Sequence, residues 1–295
     1  MGIPESVTRD TCQQFRCSAD NYHRGFGGRL GMHRGPLHWV THYLAGRLFR
    51  FDRFEFKLEP FRPHCQVYRH SETGQVVALA ADGVRYTNDG FVVRPDATEM
   101  PEKAWTASLE AVDTVVKGYP ISPRGVAIQR RVSLSLSQWE CLTRPESYTM
   151  DMHIPAGGDM TPERCVNSFR KGVEFFRRFF PNKPFQTVSS ASWIFGPQLE
   201  EILPPEANLV RHMRELYLFP LPCGPDAGLW FVFLLHPVDP TTAPRDTSLR
   251  RAVADYLAEG KPWYAGGMFF VVDDLGLYGT QHYRTQWPDV LRAVE

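Results

Sequence analysis

The chain has 295 residues, of which 43% are hydrophobic, and its 33 basic residues balance its 33 acidic residues. This length suffices for a large core or for two domains, and the neutral charge lacks the basic footprint of a protein that binds nucleic acid or an anionic membrane. The first residues lack the regions of a signal peptide, and the longest apolar run, 229–235, is too short to cross a bilayer. The six cysteines include no Cys-x-x-Cys pair, so we expect reduced thiols and a cytoplasmic protein.

The first half of the chain alternates between helical and strand patterns. The expected elements, in chain order, are a short helix and loop over residues 1–30, a helix over 36–49, a half-buried strand over 49–58, a hairpin with strands at 66–69 and 76–80, a helix over 105–116 and a strand over 126–136. His33, His38 and His42 occur without the residues that would complete a zinc motif, so we expect no metal site.

The middle of the chain carries the clearest pattern. Residues 148–154 alternate like a strand, with Asp151 and His153 on one face, and residues 155–160 form a glycine-bearing turn. Thr161, Pro162 and Glu163 then stand where an N-cap, a first-turn proline and a first-turn acidic residue belong. An apolar stripe follows at helical spacing to residue 180, and residues 185–192 read as a second strand. The unit is therefore strand, glycine loop, helix, strand.

The remaining elements are shorter. We expect helices over 197–203 and 206–216, strands over 216–219 and 229–235, a helix over 248–257 that Asp246 caps, and a last strand over 268–272. The segment 142–147 is polar and contains proline, and it is the best candidate for a domain boundary.

The glycine loop has two interpretations. A loop that leads into a helix N-terminus presents free backbone N–H groups and the positive end of the helix dipole, which suits a phosphate group. The glycines of an ordinary strand–helix–strand crossover would, however, look the same in the sequence.

Short motifs along most of the chain occur in a recognisable order. They are Gly2-Ile3-Pro4, Leu48-Phe49-Arg50, Phe54-Glu55-Phe56, Gly118-Tyr119-Pro120-Ile121, His153-Ile154-Pro155 with Gly157-Gly158, Phe175-Phe176, Phe179-Phe180-Pro181, Ser192-Trp193, Asn208-Leu209, Leu249-Arg250-Arg251-Ala252 and Gly266-Gly267. Together they resemble a bacterial family of acyltransferase-domain proteins with GNAT-like N- and C-terminal domains.

The resemblance implies an α/β fold with α+β mixed sheets, arranged as two tandem GNAT-like domains over 1–145 and 146–295. It also implies transfer of an acyl group from acyl-CoA or acetyl-CoA to an amine of a small molecule or peptide. Two positions depart from the family pattern. Ile154 stands three residues before the first loop glycine, where the usual phosphate loop has Gln or Arg, and Ala207 precedes Asn208 where the family has Ser.

The same resemblance implies roles for individual residues. Ile154, Gly157, Gly158, Met160 and Thr161 would bind the pantetheine and pyrophosphate of the CoA, His153 would act as base with Asp151 as its orienting partner, and Ser192, Trp193 and Asn208 would contact the acyl group or the amine. Read as residues alone, Asp151 and His153 also suit the solvated face of a strand, Trp193 a core position, and Asn208 a helix cap.

Two further functions stay open at this stage. Cys165 lies near the start of the predicted helix, where the helix dipole lowers the pKa of a thiol, and with His153 it would make an acyl-Cys transferase or hydrolase. Cys165 also fits the apolar stripe of that helix as a buried residue. In the other alternative, the chain is a GNAT-like scaffold that binds a peptide or a protein without catalysis.

Overall fold

The computed structural model describes residues 2–32, 37–62, 64–94, 96–97 and 101–293. Its helices are α1 (Glu5–Gly25), α2 (Leu37–Leu44), α3 (Pro162–Phe179), α4 (Leu199–Ile202), α5 (Asn208–Glu215), α6 (Leu229–Phe233), α7 (Ser248–Ala258) and α8 (His282–Ala293), with 3₁₀ turns at Trp193–Phe195 and Val272–Leu277. Its strands are β1 (Leu48–Phe51), β2 (Phe54–Pro60), β3 (Cys65–His70), β4 (Val76–Ala80), β5 (Arg85–Tyr86), β6 (Trp105–Thr106), β7 (Glu110–Val112), β8 (Val115–Gly118), β9 (Pro120–Ser122), β10 (Val126–Ala127), β11 (Val132–Ser135), β12 (Trp139–Thr143), β13 (Tyr148–His153), β14 (Thr187–Ser192), β15 (Tyr217–Pro220) and β16 (Gly266–Val271).

The largest sheet has six strands in the order β1-β2-β13-β14-β16-β15. β13 and β14 run parallel because α3 connects them as a crossover, whereas the other neighbouring strands are antiparallel. The expected mixed α/β fold is confirmed. Among the described residues, no helix is long and apolar enough to cross a membrane.

The segment between β2 and β13 leaves this sheet and returns to the same point. Phe61 N donates a hydrogen bond to the Ser147 carbonyl at 2.7 Å, and Glu146 N donates to the Phe61 carbonyl at 3.3 Å. In between, the chain forms a five-stranded sheet (β10-β9-β4-β3-β12) and two smaller sheets. The domain division at residue 145 stays a prediction, and strands from both sides of it share the six-stranded sheet.

Helix α3 covers one face of the six-stranded sheet as its apolar stripe predicts. Cys165, Phe169 and Phe176 are buried, and Gly172 lies close to the sheet, since a Cβ placed there would be 3.1 Å from a Phe56 ring carbon. The helix begins as expected, because the Thr161 side chain accepts from Arg164 N at 3.4 Å and Pro162 occupies the first turn.

Several expected elements differ in the structure. The run 49–58 is a hairpin and not one strand, because Asp52 adopts a φ of +53° and turns the chain. The run 105–116 contains short strands instead of a helix, and Asp113, with φ +52°, makes the turn between β7 and β8. The apolar run 229–235 contains helix α6, since such runs do not distinguish helix from strand.

Smaller differences concern element ends. The first helix is long, Glu5–Gly25, and α7 is capped by the Thr247 side chain and not by Asp246. The strand expected over 126–136 is split into β10 and β11, and α8 was not expected. His33 and the start of the second predicted helix lie outside the described residues, as does the side chain of His38.

Candidate active site

The parallel strands at the centre of the sheet part at their carboxyl ends. Pairing between β13 and β14 joins Met150 to Val188 and Asp151 to Ser189 and then stops. β13 runs on to His153 with only β2 beside it, and β14 runs on to Ser192 with only β16 beside it. A gap therefore opens where ligands of α/β sheets bind, and the strand edges along it offer backbone groups to an extended ligand.

The glycine loop follows β13 at this same end. Gly157 and Gly158 have φ values of +80° and +76°, which favour glycine strongly over other residues. Within the described residues, no hydrogen bond uses the backbone N–H groups from Gly157 to Met160. Together with the N-terminus of α3, these donors form a site that suits an anion. The side chains of Ile154 and Met160 pack against the core and anchor the two ends of the loop.

Basic side chains flank the loop. Arg164 donates to Asp52 at 2.9 Å and to Asp159 at 2.5 Å, so carboxylates neutralise its charge. Arg53, from the turn between β1 and β2, donates to the Pro155 carbonyl at 2.8 Å. A Cβ placed on Gly158 would lie 3.4 Å from Arg164 Nη1 and 3.8 Å from Arg53 Cδ.

Asp151 and His153 are in direct contact on the sheet face opposite α3. His153 Nε2 and Asp151 Oδ2 are 2.6 Å apart, and Lys57 Nζ lies 3.6 Å from the same carboxylate oxygen. Burial opposes ionisation of Asp151, but the charges and hydrogen bonds of its neighbours, His153 foremost, outweigh it and lower the pKa of the carboxyl. In the neutral tautomer of His153 that carries its proton on Nε2, this proton is donated to the ionised Asp151 and Nδ1 has a lone pair. The pair therefore has the arrangement of a base and the residue that orients it.

Helix α2 covers this polar face. The Trp39 ring lies edge-on to the His153 ring with centroids 4.4 Å apart, and Lys57 Nζ lies 4.5 Å from the Trp39 ring centroid. Glu55, directly opposite His153 on β2, is buried and accepts a hydrogen bond from the Tyr43 hydroxyl at 2.7 Å. Burial raises the pKa of the Glu55 carboxyl.

These neighbours were missed by sequence reasoning. The alternation of residues 49–58 predicts charged residues on a solvated face, but β2 is an inner strand, and its burial pattern keeps Glu55 and Lys57 inside. In the sequence, the alternation of Glu55 and Lys57 with Phe54 and Phe56 gives no indication that the charged side chains are buried.

The three residues predicted to contact substrate are placed differently. Ser192 ends β14 on the far side of the gap, and its side chain accepts from Ile194 N at 3.5 Å. Trp193 follows it and packs on Gly228, where an added Cβ would meet the ring at 2.1 Å. Asn208 is the first residue of α5, and the N-cap is Ala207. The structure thus brings Ser192 and Trp193 to the same sheet end as His153. Asn208 is not the helix cap, and within the described residues it makes no hydrogen bond to Asp151 or His153.

Cys165 does not have the environment of a nucleophile. The residue is fully buried, and burial raises the pKa of its thiol to about 12. It lies on α3, against the sheet face opposite to His153, and the apolar-stripe interpretation is the correct one.

Comparison with known proteins gives a family and a fold. A family model described as the GNAT-like C-terminal domain matches residues 48–270. The fold is similar to an acyltransferase crystallised with CoA and 10C-teicoplanin (21% identity, TM-score 0.58, covering 92% of this chain and 60% of that one). It is also similar to an acyltransferase crystallised with decanoyl-CoA and teicoplanin (20% identity, TM-score 0.58, covering 92% of this chain and 60% of that one). A third similar structure is an acyltransferase mutant with octanoyl-CoA (20% identity, TM-score 0.57, covering 92% of this chain and 59% of that one).

This chain thus spans about 60% of the length of these solved structures. At such identities the similarity establishes the fold alone. A search of curated proteins gave no match.

Proposed function

This chain belongs to the family of proteins that contain the GNAT-like C-terminal domain, and we propose that it is an acyltransferase that moves an acyl group from an acyl-CoA to an amine. The observation that carries the proposal is the parting of β13 and β14 directly beside the glycine loop, whose backbone N–H groups have no hydrogen-bond partner among the described residues. An extended arm with amide groups fits the parted strands, and an anion fits the loop. Pantetheine and pyrophosphate are joined in that order in CoA.

In this proposal the residues of the loop bind the CoA. Gly157, Gly158 and Met160 donate backbone N–H groups to the pyrophosphate, Thr161 begins the helix whose dipole faces it, and Ile154 ends the strand that pairs with the pantetheine arm. The thioester then lies between the carboxyl ends of the parted strands, near His153.

His153 and Asp151 supply the proton transfer. His153 Nδ1 takes a proton from the ammonium of the acceptor, and the freed nitrogen attacks the thioester carbonyl carbon. As the C–S bond breaks, the thiolate of CoA receives the proton held by His153, the nitrogen of the new amide loses its second proton to solvent, and the amide product and CoA leave. Asp151 holds the imidazole in the tautomer that this requires.

The acceptor of the acyl group is proposed by chemical class only. Two of the solved structures with this fold contain 10C-teicoplanin or teicoplanin, which supports a peptide or small-molecule amine as acceptor here, with Ser192 and Trp193 at the open end of the gap. Asn208, at the start of α5, is kept as a third candidate contact. All six cysteines are free thiols, which supports a reducing compartment such as the cytoplasm.

Calorimetric titration with acetyl-CoA and decanoyl-CoA tests the proposal. Gly158→Asp places a carboxylate beside the loop N–H groups and should abolish binding, whereas Gly158→Asn has a similar shape without the charge and should lose less. Gly260→Asp is the matched control, because Gly260 has a φ of +69° and open space around it at the end of α7.

The outcomes separate the candidate functions. Binding by the wild type and the control, with loss in Gly158→Asp, supports the acyl-CoA site, and turnover with a panel of primary amines and teicoplanin then identifies the acceptor. Absence of binding to either acyl-CoA by the wild type would overturn the acyltransferase proposal and leave a non-catalytic binding scaffold.

A further inference from the structure

Arg53 is a buried cation at the edge of the glycine loop. Its side chain lies in the turn between β1 and β2, and the residue is 5% exposed. Its backbone N–H donates to Ser168 Oγ of α3 at 2.9 Å, so the turn is fixed against the helix that follows the loop. Nη1 donates to the Pro155 carbonyl at 2.8 Å, which holds the guanidinium at the beginning of the loop.

Among the residues that the structure describes, the charge of Arg53 has no close counterion. Within the described part of the chain, no carboxylate oxygen lies within 4 Å of its guanidinium, and Nε is buried without a hydrogen-bond partner. Burial, with the like charges of Arg50 and Arg164, lowers the pKa of Arg53 to about 10. Arg164, on the other side of Gly158, differs in having both Asp52 and Asp159 as partners. A buried cation without a partner is unfavourable in the free protein and favours the arrival of an anion.

Arg53 reaches the loop next to Ile154, the position at which the loop sequence departs from the usual pattern. The GNAT phosphate loop that this loop resembles has Gln or Arg three residues before its first glycine, and here that place is taken by Ile154, whose side chain packs against the core. Arg53 reaches the neighbouring residue, Pro155, from a different strand pair. A side-chain donor is thus present at the beginning of the loop although the loop sequence lacks one.

We propose that Arg53 binds a phosphate group of the acyl-CoA from outside the glycine loop, in the place of the loop side chain that Ile154 replaces. This inference rests on the proposed function, and it names a binding residue on the β1–β2 turn that the loop motif does not include. Guanidinium–phosphate contacts are charge-assisted and directional, and a buried one is stronger than a contact in solvent.

The test measures affinity for two ligands that differ in their phosphates. Acetyl-CoA and S-acetylpantetheine share the thioester arm, but only the first carries phosphate groups. We expect Arg53→Met to raise the Kd for acetyl-CoA roughly 10- to 100-fold, as for a lost hydrogen bond to a charged group, and to leave the Kd for S-acetylpantetheine within about twofold. Arg170→Met, on the exposed face of α3, removes the same charge and should change neither.

Thermal unfolding distinguishes binding from a structural role. Removal of an uncompensated buried charge should leave the melting temperature of the free protein unchanged or higher, whereas inorganic pyrophosphate should raise it in the wild type and less in Arg53→Met. If Arg53→Met does not fold, Arg53→Lys keeps the charge and should show the same selective loss to a smaller degree.

The inference would be overturned if the variant bound acetyl-CoA as tightly as the wild type does, or if both ligands lost affinity equally. Failure of the wild type to bind acetyl-CoA at all would instead overturn the proposed function.

Discussion

Replacement of His153 by Ala tests the proposed chemistry most directly. The side chain is 28% exposed, and its hydrogen bond is to Asp151, while its backbone pairs with β2. Loss of the imidazole would thus leave the strand, the glycine loop and the parted strand ends in place. We expect the Kd for acyl-CoA to stay within about twofold of the wild type and the rate of transfer at neutral pH to fall by roughly 10²- to 10⁴-fold, the usual range for a general base.

The size of this loss should depend on pH. An acceptor amine with a lysine-like pKa of about 10.4 is unprotonated in roughly one molecule in 2,500 at pH 7 and in one in 25 at pH 9. Without a base, only this fraction reacts, so the deficit of His153→Ala should shrink about tenfold for each pH unit and nearly vanish near the pKa of the amine.

The assay follows CoA release by chromatography, because the exposed Cys12 would react with a thiol reagent. Rates of the wild type and His153→Ala are compared from pH 7 to 9.5 at saturating acyl-CoA, with the best acceptor from the amine panel. A deficit that stays constant across this range, or a parallel loss of acyl-CoA affinity, would refute the assignment of His153 as the base.

Three further predictions concern residues around the site. Asp151→Asn should lower the transfer rate at pH 7 by roughly 10- to 100-fold without a change in acyl-CoA affinity, since the imidazole loses the partner that sets its tautomer; the exposed Asp273→Asn is its control, and equal rates in both would contradict the role of Asp151. Burial lowers the pKa of His212 to about 3, so below about pH 6.5 the unfolded state binds a proton that the folded state does not bind; this group should lower the free energy of unfolding by about 2 kcal/mol between pH 6.5 and 4.5, and His212→Phe should remove that contribution in urea titrations. Gly172→Val should lower the free energy of unfolding by roughly 1 to 3 kcal/mol, because a Cβ there would lie 3.1 Å from Phe56 and 3.2 Å from Met150; unchanged stability would mean that α3 can move away from the sheet.

Local signals predicted the centre of the fold well. The N-cap at Thr161, the proline after it and the apolar stripe from Cys165 act within one helix, so the strand–loop–helix–strand unit was predicted with nearly correct ends. The same holds for the contact of Asp151 with His153, because residues two apart share a strand face. The roles of these residues stay predictions.

The partners of this unit were beyond local signals. β2 lies some 90 residues before β13, and nothing in either strand indicates that they pair. For this reason the alternation of residues 49–58 predicts that Arg53, Glu55 and Lys57 lie on a solvated strand face, whereas all three are buried in the structure. The runs 105–116 and 229–235 failed for a different reason, since their apolar residues fit helix and strand periods equally well.

The return of the chain from Phe61 to Ser147 makes β2 and β13 a hairpin whose turn is roughly 85 residues long. Closure entropy grows only with the logarithm of loop length, so this turn costs about 2.5 kcal/mol more than a four-residue turn at about 0.6 kcal/mol per doubling. The inserted sheets contact the six-stranded sheet through its strand β15. There the Tyr217 hydroxyl donates a hydrogen bond to the Ile121 carbonyl and accepts one from Ala78 N. A shortened chain that joins residues 61 and 147 through a tight turn should keep the strand order of the six-stranded sheet. Tyr217 and its neighbours would then be exposed to solvent and would have to be replaced by polar residues. The insertion is thus connected along the chain to the strands of the candidate active site at a single point, although it shares the hydrophobic core with the rest of the protein.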